Sequence, residues 1–282
     1  MIYLMRYAEI ALKGENRNDF ERKLVANINS LARNSGSEII IKRLQGRVLV
    51  QCDKNIDFRK VFGIVSFSSC VKVDPEFKVI CSEALKLAEK HSKTTTFRVS
   101  TKRLSKDFDL SSMELNSKVG AFIAEKTGFK VKLDNPDMDL GIELVDKEAF
   151  VFGKTINCFG GLPVGIEGKV LVLLEDEKSV LAGLLMMKRG CAVELASSSD
   201  KLSNSNLSLI QDYAPNKLVL HKIKELSELY ELAQKLNCKA TIVNDTFASL
   251  KNYPINMLVL RPLISFSDEE IISELKKYKL LT

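Results

Sequence analysis

Lys13, Arg17, Lys102, Arg103, Lys106 and Lys118 are cations set in segments that read as loops or helix ends beside strands. From such places an ammonium or guanidinium group reaches phosphate oxygens, the contacts that supply most nucleic-acid affinity and carry little sequence information. Arg6, at the end of the first apolar run, and Asn116 complete the candidate set. Taken singly, each cation also reads as a solvated surface charge, and Asn116 as a turn or helix-packing residue. The chain has no tryptophan, and no aromatic ladder interleaves with the basic residues. Base stacking along a single strand is therefore not the expected mode, and recognition of a folded RNA by shape fits better.

A second constellation has the opposite sign. Glu175-Asp176-Glu177-Lys178-Ser179 stands between the apolar run 170–174 and a helical segment that ends near Gly190. Carboxylates at a helix start are good caps, worth roughly 0.5–2 kcal/mol. They are poor neighbours for a polyphosphate, since two like charges about 4 Å apart repel by on the order of 4 kcal/mol at an effective dielectric near 20.

Other chemistry is excluded by what is missing. The six cysteines form no C-x-x-C pair and there are only two histidines, His91 and His221, so no zinc finger and no serine-type triad can be assembled. Each cysteine reads as a small buried apolar residue. Lys188-Arg189 beside Cys191 could activate a thiolate, but the same residues suit a helix C-terminus capped by Gly190. Asp134, Asp137 and Asp139 flank Asn135-Pro136, which points to a turn before a strand rather than a metal site.

The elements that position these groups follow from the hydrophobic pattern. Strand 2–7, helix 16–34, a hairpin 38–43/47–52 around Gln45-Gly46, a short helix 56–62 and strand 66–73 give the β-α-β-β-α-β order of a ferredoxin-like unit. A second α/β unit follows: helix 76–91, strand 95–101, helix 111–127 and strands at 131–133, 138–145 and 149–152. After a glycine-rich connection, 158–165, a continuous apolar strand at 169–174 opens an alternation of strands and helices. That pattern predicts a parallel, doubly wound sheet. The expected segments are 1–75, 76–165 and 166–282. Of the formal net charge of +6, residues before Lys169 carry +5, with 27 Lys/Arg against 22 Asp/Glu. The first two segments are thus the ones expected to attract phosphates. No apolar run approaches the roughly 18 residues of a membrane span, and the N-terminus does not read as a signal peptide, so a cytoplasmic protein with no membrane contact is expected.

Four stretches, in order along nearly the whole chain, resemble one family. Residues 6–17, R-Y-A-E-I-A-L-K-G-E-N-R, look like its R-Y-G-E-I-x-L-K-G-x-N-R opening. Thr101-Lys102-Arg103-x-x-Lys106-x-Phe108 followed by Ser111-Ser112-x-Glu114-Leu115-Asn116-x-x-Val119-Gly120 looks like its RNA-binding THUMP domain. Gly161-Leu162-Pro163-Val164-Gly165, with Gly168-Lys169-Val170-Leu171, resembles the linker into its nucleotide domain. Val259-Leu260-Arg261-Pro262-Leu263-Ile264 resembles a late motif of that domain. The family is the ThiI-type tRNA sulfurtransferases, or tRNA 4-thiouridine synthetases.

The resemblance implies an α/β chain whose N-terminal half is α+β. A ferredoxin-like domain and a THUMP domain would grip the acceptor end of tRNA. A reduced PP-loop ATPase-like domain would adenylate a uridine, with sulfur arriving as a cysteine persulfide. Arg6, Lys13, Arg17, Lys102, Arg103, Lys106, Asn116 and Lys118 are the RNA-contact residues this points to, with Glu9 orienting Arg6 or Arg17. In the third segment the pattern departs from the family. The S-G-G-x-D-S loop has lost both glycines, Asn244 replaces a glycine of the late T-G-E/D segment, and the paired C-terminal cysteines and rhodanese segment have no counterpart. Leu173, Leu174, Ser179 and Asn244 then mark a vestigial nucleotide pocket. The expectation is tRNA binding with no cofactor. The alternatives are an active sulfurtransferase using ATP with Mg²⁺, or a non-enzymatic scaffold. Expected partners are tRNA, a separate tRNA-modification enzyme, and a second copy of the chain.

Overall fold

The first apolar run forms strand β1 (Ile2–Arg6), and helix α1 (Arg17–Asn34) follows two 3-10 turns. Then come β2 (Ile39–Leu44), β3 (Arg47–Cys52), β4 (Ser66–Ser69), β5 (Val71–Val73), α2 (Phe77–Ala88), β6 (Thr96–Arg103), α3 (Ser112–Thr127) and β7 (Lys130–Val131). The hairpin β8 (Met138–Val145) and β9 (Glu148–Phe152) and the short β10 (Ile156–Asn157) precede the last part of the chain. That part holds β11 (Lys169–Leu173), α4 (Glu177–Lys188), β12 (Ala192–Ser197), α5 (Ser203–Gln211), β13 (Leu220–Lys222), α6 (Glu228–Lys235), β14 (Thr241–Ile242), β15 (Val259–Leu260) and α7 (Asp268–Lys277). This computed structural model describes residues 1–91, 95–105, 108–198, 203–253 and 256–280, with backbone alone at 203–205. Among the described residues no helix is long and apolar enough to cross a membrane.

By compactness the chain divides into two units. The first holds residues 1–7, 35–59 and 65–158, and the second holds 8–34, 60–64 and 159–282.

The first unit contains two sheets. One has the order β10-β4-β1-β3-β2 with all pairs antiparallel, and the other has the order β5-β9-β8-β6-β7. Between them lies an apolar layer of Leu4, Leu44, Leu49, Cys70, Val145, Phe150 and Phe152. Strands β6 and β8 run parallel in strict alternation. Phe97, Val99, Leu140 and Ile142 are core with Ile80, Leu115, Val119 and Ile123 of α2 and α3. The alternate residues face the other way, and register sets Arg98 opposite Asp139, Ser100 opposite Gly141 and Lys102 opposite Glu143. This is the period-2 division of a sheet's two faces, one packed on the helices and the other carrying the buried Gly141 and Glu143. Helix α3 starts at a reciprocal cap: Glu114 N–H donates to Ser111 Oγ (3.2 Å) and Ser111 N–H to Glu114 Oε2 (2.8 Å). It ends at Gly128, whose φ of 75° is left-handed and favours glycine. The Ser111 and Glu114 of the sequence motif are therefore a helix start.

Three elements differ from the sequence expectation. The helix expected at 56–62 is only a 3-10 turn, Phe58–Lys60. The strand expected at 66–73 is two strands in different sheets, with the buried Cys70 between them, because the chain crosses from one sheet to the other there. Strand β10 falls in what reads as a connection, since two residues carry no periodicity.

Glu148 in β9 receives Lys42 of β2 at 2.8 Å and Lys72 of β5 at 2.7 Å, so one carboxylate links the two sheets. Burial works against that carboxylate, but the two ammonium groups outweigh it and hold its pKa below the ordinary value. A depressed carboxylate pKa contributes stability above its unfolded value and loses it as pH falls through the folded one. Glu148→Gln is expected to lower the urea midpoint at neutral pH. The gap to wild type should close once pH falls below the carboxylate range, and a gap that persists there contradicts the linkage.

The second unit is built on the parallel sheet β13-β12-β11-β14-β15. Alternate residues of β11 and the residue after it enter cores on opposite faces. Val170, Val172 and Leu174 lie in one, and Leu171 and Leu173 in the other. That explains the unbroken apolar run. Strand order reverses between β11 and β14, so the topological switch point lies at their carboxyl ends, where doubly wound sheets bind ligands.

Candidate functional site

Two places in the structure gather chemistry-bearing groups. The first is a cleft of about 460 Å³ in the first unit, where Arg6, Lys102 and Asn116 meet, together with Arg98, Thr101 and Glu143. Arg6 is buried, at 6% exposure. Its Nε donates to Glu143 Oε1 at 2.5 Å, its Nη1 to Ser68 Oγ at 3.1 Å, and its guanidinium lies 4.6 Å from the Phe152 ring centroid. Arg47 Nε donates to the other carboxylate oxygen of Glu143 at 2.5 Å. One carboxylate, 2% exposed, thus holds two guanidinium groups in a low-dielectric setting where such hydrogen bonds are strong. Gly141 forms part of the lining because the Phe152 ring occupies the space of a side chain. A Cβ there would lie 1.9 Å from Phe152 Cε2.

The lining carries three cations, Arg6, Arg98 and Lys102, against two carboxylates, Asp139 and Glu143. Arg98 is neutralised locally: its Nε and Nη2 donate to Asp139 Oδ2 at 2.8 and 2.5 Å, and this hydrogen bonding raises its pKa. Lys102 is exposed. Three side-chain polar atoms around the cleft are buried and have no hydrogen-bond partner among the described residues: Arg6 Nη2, Thr101 Oγ1 and Asn116 Oδ1. An unpartnered buried donor or acceptor costs roughly 1–3 kcal/mol, so three around one concavity mark a place built to receive polar groups.

The remaining sequence candidates lie elsewhere. Arg103 and Lys118 lie near Glu114 at the start of α3, where both help to lower its pKa after its bonds to Ser111. Lys13 and Arg17 belong to the second unit. There Lys13 approaches Glu167 at 3.7 Å and Arg17 pairs with Glu21 at 2.7 Å. Lys106 lies outside the described residues. The role expected of Glu9 is corrected: its described ion pair is with Arg189 at 3.5 Å, while Arg6 pairs with Glu143 and Arg17 with Glu21, four residues along its own helix. Two of the acidic residues around Asn135-Pro136 have described partners. Asp137 accepts from Thr96 N–H and Oγ1, and Asp139 binds Arg98 and Ser100.

The second place is the switch point of the parallel sheet. Asp176 caps α4: its Oδ1 accepts from Ser179 N–H at 2.8 Å and from Asn244 Nδ2 at 2.8 Å. Ser179 Oγ in turn accepts from Glu175 N–H at 2.9 Å and Asp176 N–H at 3.0 Å, and Leu174 N–H donates to the Ala196 carbonyl. The backbone donors of Glu175, Asp176 and Ser179 are thus turned onto a serine and a carboxylate of the same segment. The next residue, Asp245, is 1% exposed and accepts from Tyr253 Oη (2.8 Å), Arg261 Nε (3.1 Å) and Lys251 N–H (3.1 Å). Burial, then the bond to Asp245, pushes the Tyr253 pKa up. Of the four residues expected to line a vestigial pocket, Ser179 and Asn244 meet on Asp176. Leu173 and Leu174 are buried in the cores on opposite faces of the sheet. Burial raises the pKa of Cys52 and Cys191, and takes Cys238 and Cys81 to about 11 and Cys70 and Cys158 to about 12.

Comparison with known proteins places this geometry. Residues 2–68 match the ThiI ferredoxin-like domain and residues 75–153 the THUMP domain. A "Probable tRNA sulfurtransferase" of Thermoanaerobacter sp. (strain X514) is 33% identical over 325 residues, covering 98% of this chain and 85% of the relative. The chain belongs to the tRNA sulfurtransferase family. A second member, from Methanocaldococcus jannaschii, is 31% identical over 98% of this chain and 87% of its own length. Both alignments are longer than the chain itself, so these family members carry segments that it lacks. Among solved structures, PH1313 from Pyrococcus horikoshii superposes with a TM-score of 0.88 at 28% identity, covering 99% of each chain. A 4-thiouridine synthetase–RNA complex with bound ATP superposes with a TM-score of 0.80 at 26% identity, covering 98% of this chain and 84% of that one.

Sequence reasoning missed Glu143, Arg47, Thr101, Gly141 and Phe152. No local signal marked Glu143, which shares the alternate, polar row of β8 with Asp139 and Gly141 and so reads as a solvent-facing residue.

Proposed function

We propose that this protein is a tRNA-binding member of the tRNA sulfurtransferase family that does not adenylate its RNA. The cleft of the first unit grips the acceptor end. Lys102 and the free edge of Arg6 meet phosphate, while Thr101 and Asn116 supply hydrogen bonds that the protein itself leaves unmade. The family relative solved with RNA and ATP supports the RNA half of this reading.

The observation that carries the other half is the self-capped loop. A polyphosphate at the start of α4 would have to displace the Asp176 carboxylate from Ser179 N–H and Asn244 Nδ2, and would then face it together with Glu175 and Glu177. Each close carboxylate–phosphate pair costs on the order of 4 kcal/mol at an effective dielectric near 20, whereas a loop lysine such as Lys178 offsets a single charge. The residues present do not fit the triphosphate of ATP. In this reading the protein works with no cofactor in the cytoplasm and presents tRNA to a separate modification enzyme, with a second copy of the chain as a further partner.

Filter binding of bulk tRNA across a salt series tests the RNA half. The expected result is binding at low salt that weakens log-linearly as salt rises, with a slope set by the number of phosphate contacts. No binding at low salt, or binding indifferent to salt, overturns it. The relatives' designation favours a second reading, an active sulfurtransferase making 4-thiouridine. That reading requires ATP binding at the loop before α4.

A further inference from the structure

We propose that the RNA strand held in the cleft continues across residues 153–157 into a second groove of the first unit, with Lys154 as its phosphate contact; this rests on the RNA-binding reading. The second groove has a volume of about 870 Å³ and includes Asn55, Arg59, Ser69, Lys154 and Asn157 in its lining. Thr155 lines both concavities. Its Oγ1 lies 3.2 Å from Ser68 Oγ, the hydroxyl that also receives Arg6 Nη1, so one hydrogen-bonded chain runs from the floor of the cleft to the lip of the groove.

The chemistry of the groove suits a sugar–phosphate backbone. Arg59 is taken up by Asp57, with its Nε 2.9 Å from both carboxylate oxygens and its Nη2 2.6 Å from Oδ2. Lys154 is exposed, and no ion pair is recorded for it among the described residues. It follows Gly153, where an added Cβ would touch nothing within 4 Å. Ser69, Asn55, Thr155 and Asn157 add neutral hydroxyl and amide groups that bond ribose and phosphate oxygens. No ring face is offered for stacking. Tyr3 and Phe67 are 5% and 3% exposed and pack edge-on against each other and Phe58. The groove is therefore expected to follow the backbone whatever the sequence.

The test is fluorescence anisotropy with two labelled oligoribonucleotides sharing one 3′ end, of about four and about twelve nucleotides, within the range of single-strand sites. Lys154→Gln is expected to weaken the longer strand by about threefold to tenfold and to lower its salt slope by about 0.7, the value of one single-strand phosphate contact. The shorter strand should change by less than about twofold, and Lys154→Arg should restore the longer one. An unchanged affinity for the longer strand overturns the proposal and leaves RNA binding by the first cleft intact. Equal weakening of both strands also overturns it, because Lys154 would then act in the first cleft. If neither strand binds the wild-type protein, the extension falls, and the tRNA-binding reading stands or falls on the bulk-tRNA salt series.

Discussion

Replacing Glu143 by alanine lowers the stability of the protein by about 3–5 kcal/mol, the cost of removing one partner from a buried ion pair. The residue accepts from Arg6 and Arg47 at 2.5 Å each, and the three side chains are 2%, 7% and 12% exposed. Alanine would leave two guanidinium groups desolvated with no counter-charge, and would open a cavity between β8 and β1. Neither arginine can be neutralised by giving up a proton, since a guanidinium stays charged in proteins. Glu143→Gln keeps the volume but loses the charge and is expected to fall between alanine and wild type. Urea unfolding followed by circular dichroism reads the difference directly, and a loss below about 1 kcal/mol for the alanine variant contradicts the assignment of Glu143 as the hub of the cleft.

The second large effect is on affinity. Lys102→Glu combined with Lys118→Glu is expected to weaken tRNA binding by about 10–100-fold near 0.1 M salt, because two attractive contacts become repulsive. The salt slope should fall by about two at the same time. Both side chains are exposed, so the unfolding midpoint should move by no more than about 0.5 kcal/mol. That separation matters: a loss of affinity accompanied by unfolding would report on folding alone. Filter binding and urea unfolding on the same preparation provide both readings. Unchanged affinity in a folded variant removes these two cations from the interface.

The contrast between these residues shows what a sequence discloses. The start of α4 was legible because carboxylates at a helix start are a local signal, whereas the Ser111–Glu114 cap of α3 entered only as part of a family motif. The apolar run of β11 was legible as a strand buried on both faces, since burial on both sides removes alternation. The cleft was only partly legible. Lys102 and Asn116 stand in a recognisable motif, but Arg6 finds Glu143 across 137 residues and Arg47 finds it across 96. No spacing rule connects such partners. They meet because β1, β3 and β8 lie in two sheets that face each other, and register decides which side chains point inward. Gly141 shows the same limit. Its need to be glycine is set by the Phe152 ring, which lies opposite it in the β8–β9 register. The 3-10 turn at Phe58–Lys60 and the two-residue β10 were missed for another reason: elements that short are held by tertiary contacts and leave no period to read.

At the switch point of the parallel sheet the proposed loss of nucleotide binding rests on how the polar groups of the crevice are partnered. Strand β11, helix α4 and the Arg261–Asp245 pair shape the crevice, and Asp176, Ser179, Asn244 and Asp245 at its centre are each bonded to another group of the same unit. Asp176 holds the position at the helix N-terminus that an anion would otherwise take.

Isothermal calorimetry of the intact protein with ATP and Mg²⁺, on a sample shown to bind tRNA, tests this account most directly. The account predicts no heat of binding up to millimolar ATP, with tRNA affinity unchanged by the nucleotide. Saturable ATP binding at micromolar concentration, abolished by a substitution in the 175–179 loop, would contradict it and restore the adenylating enzyme.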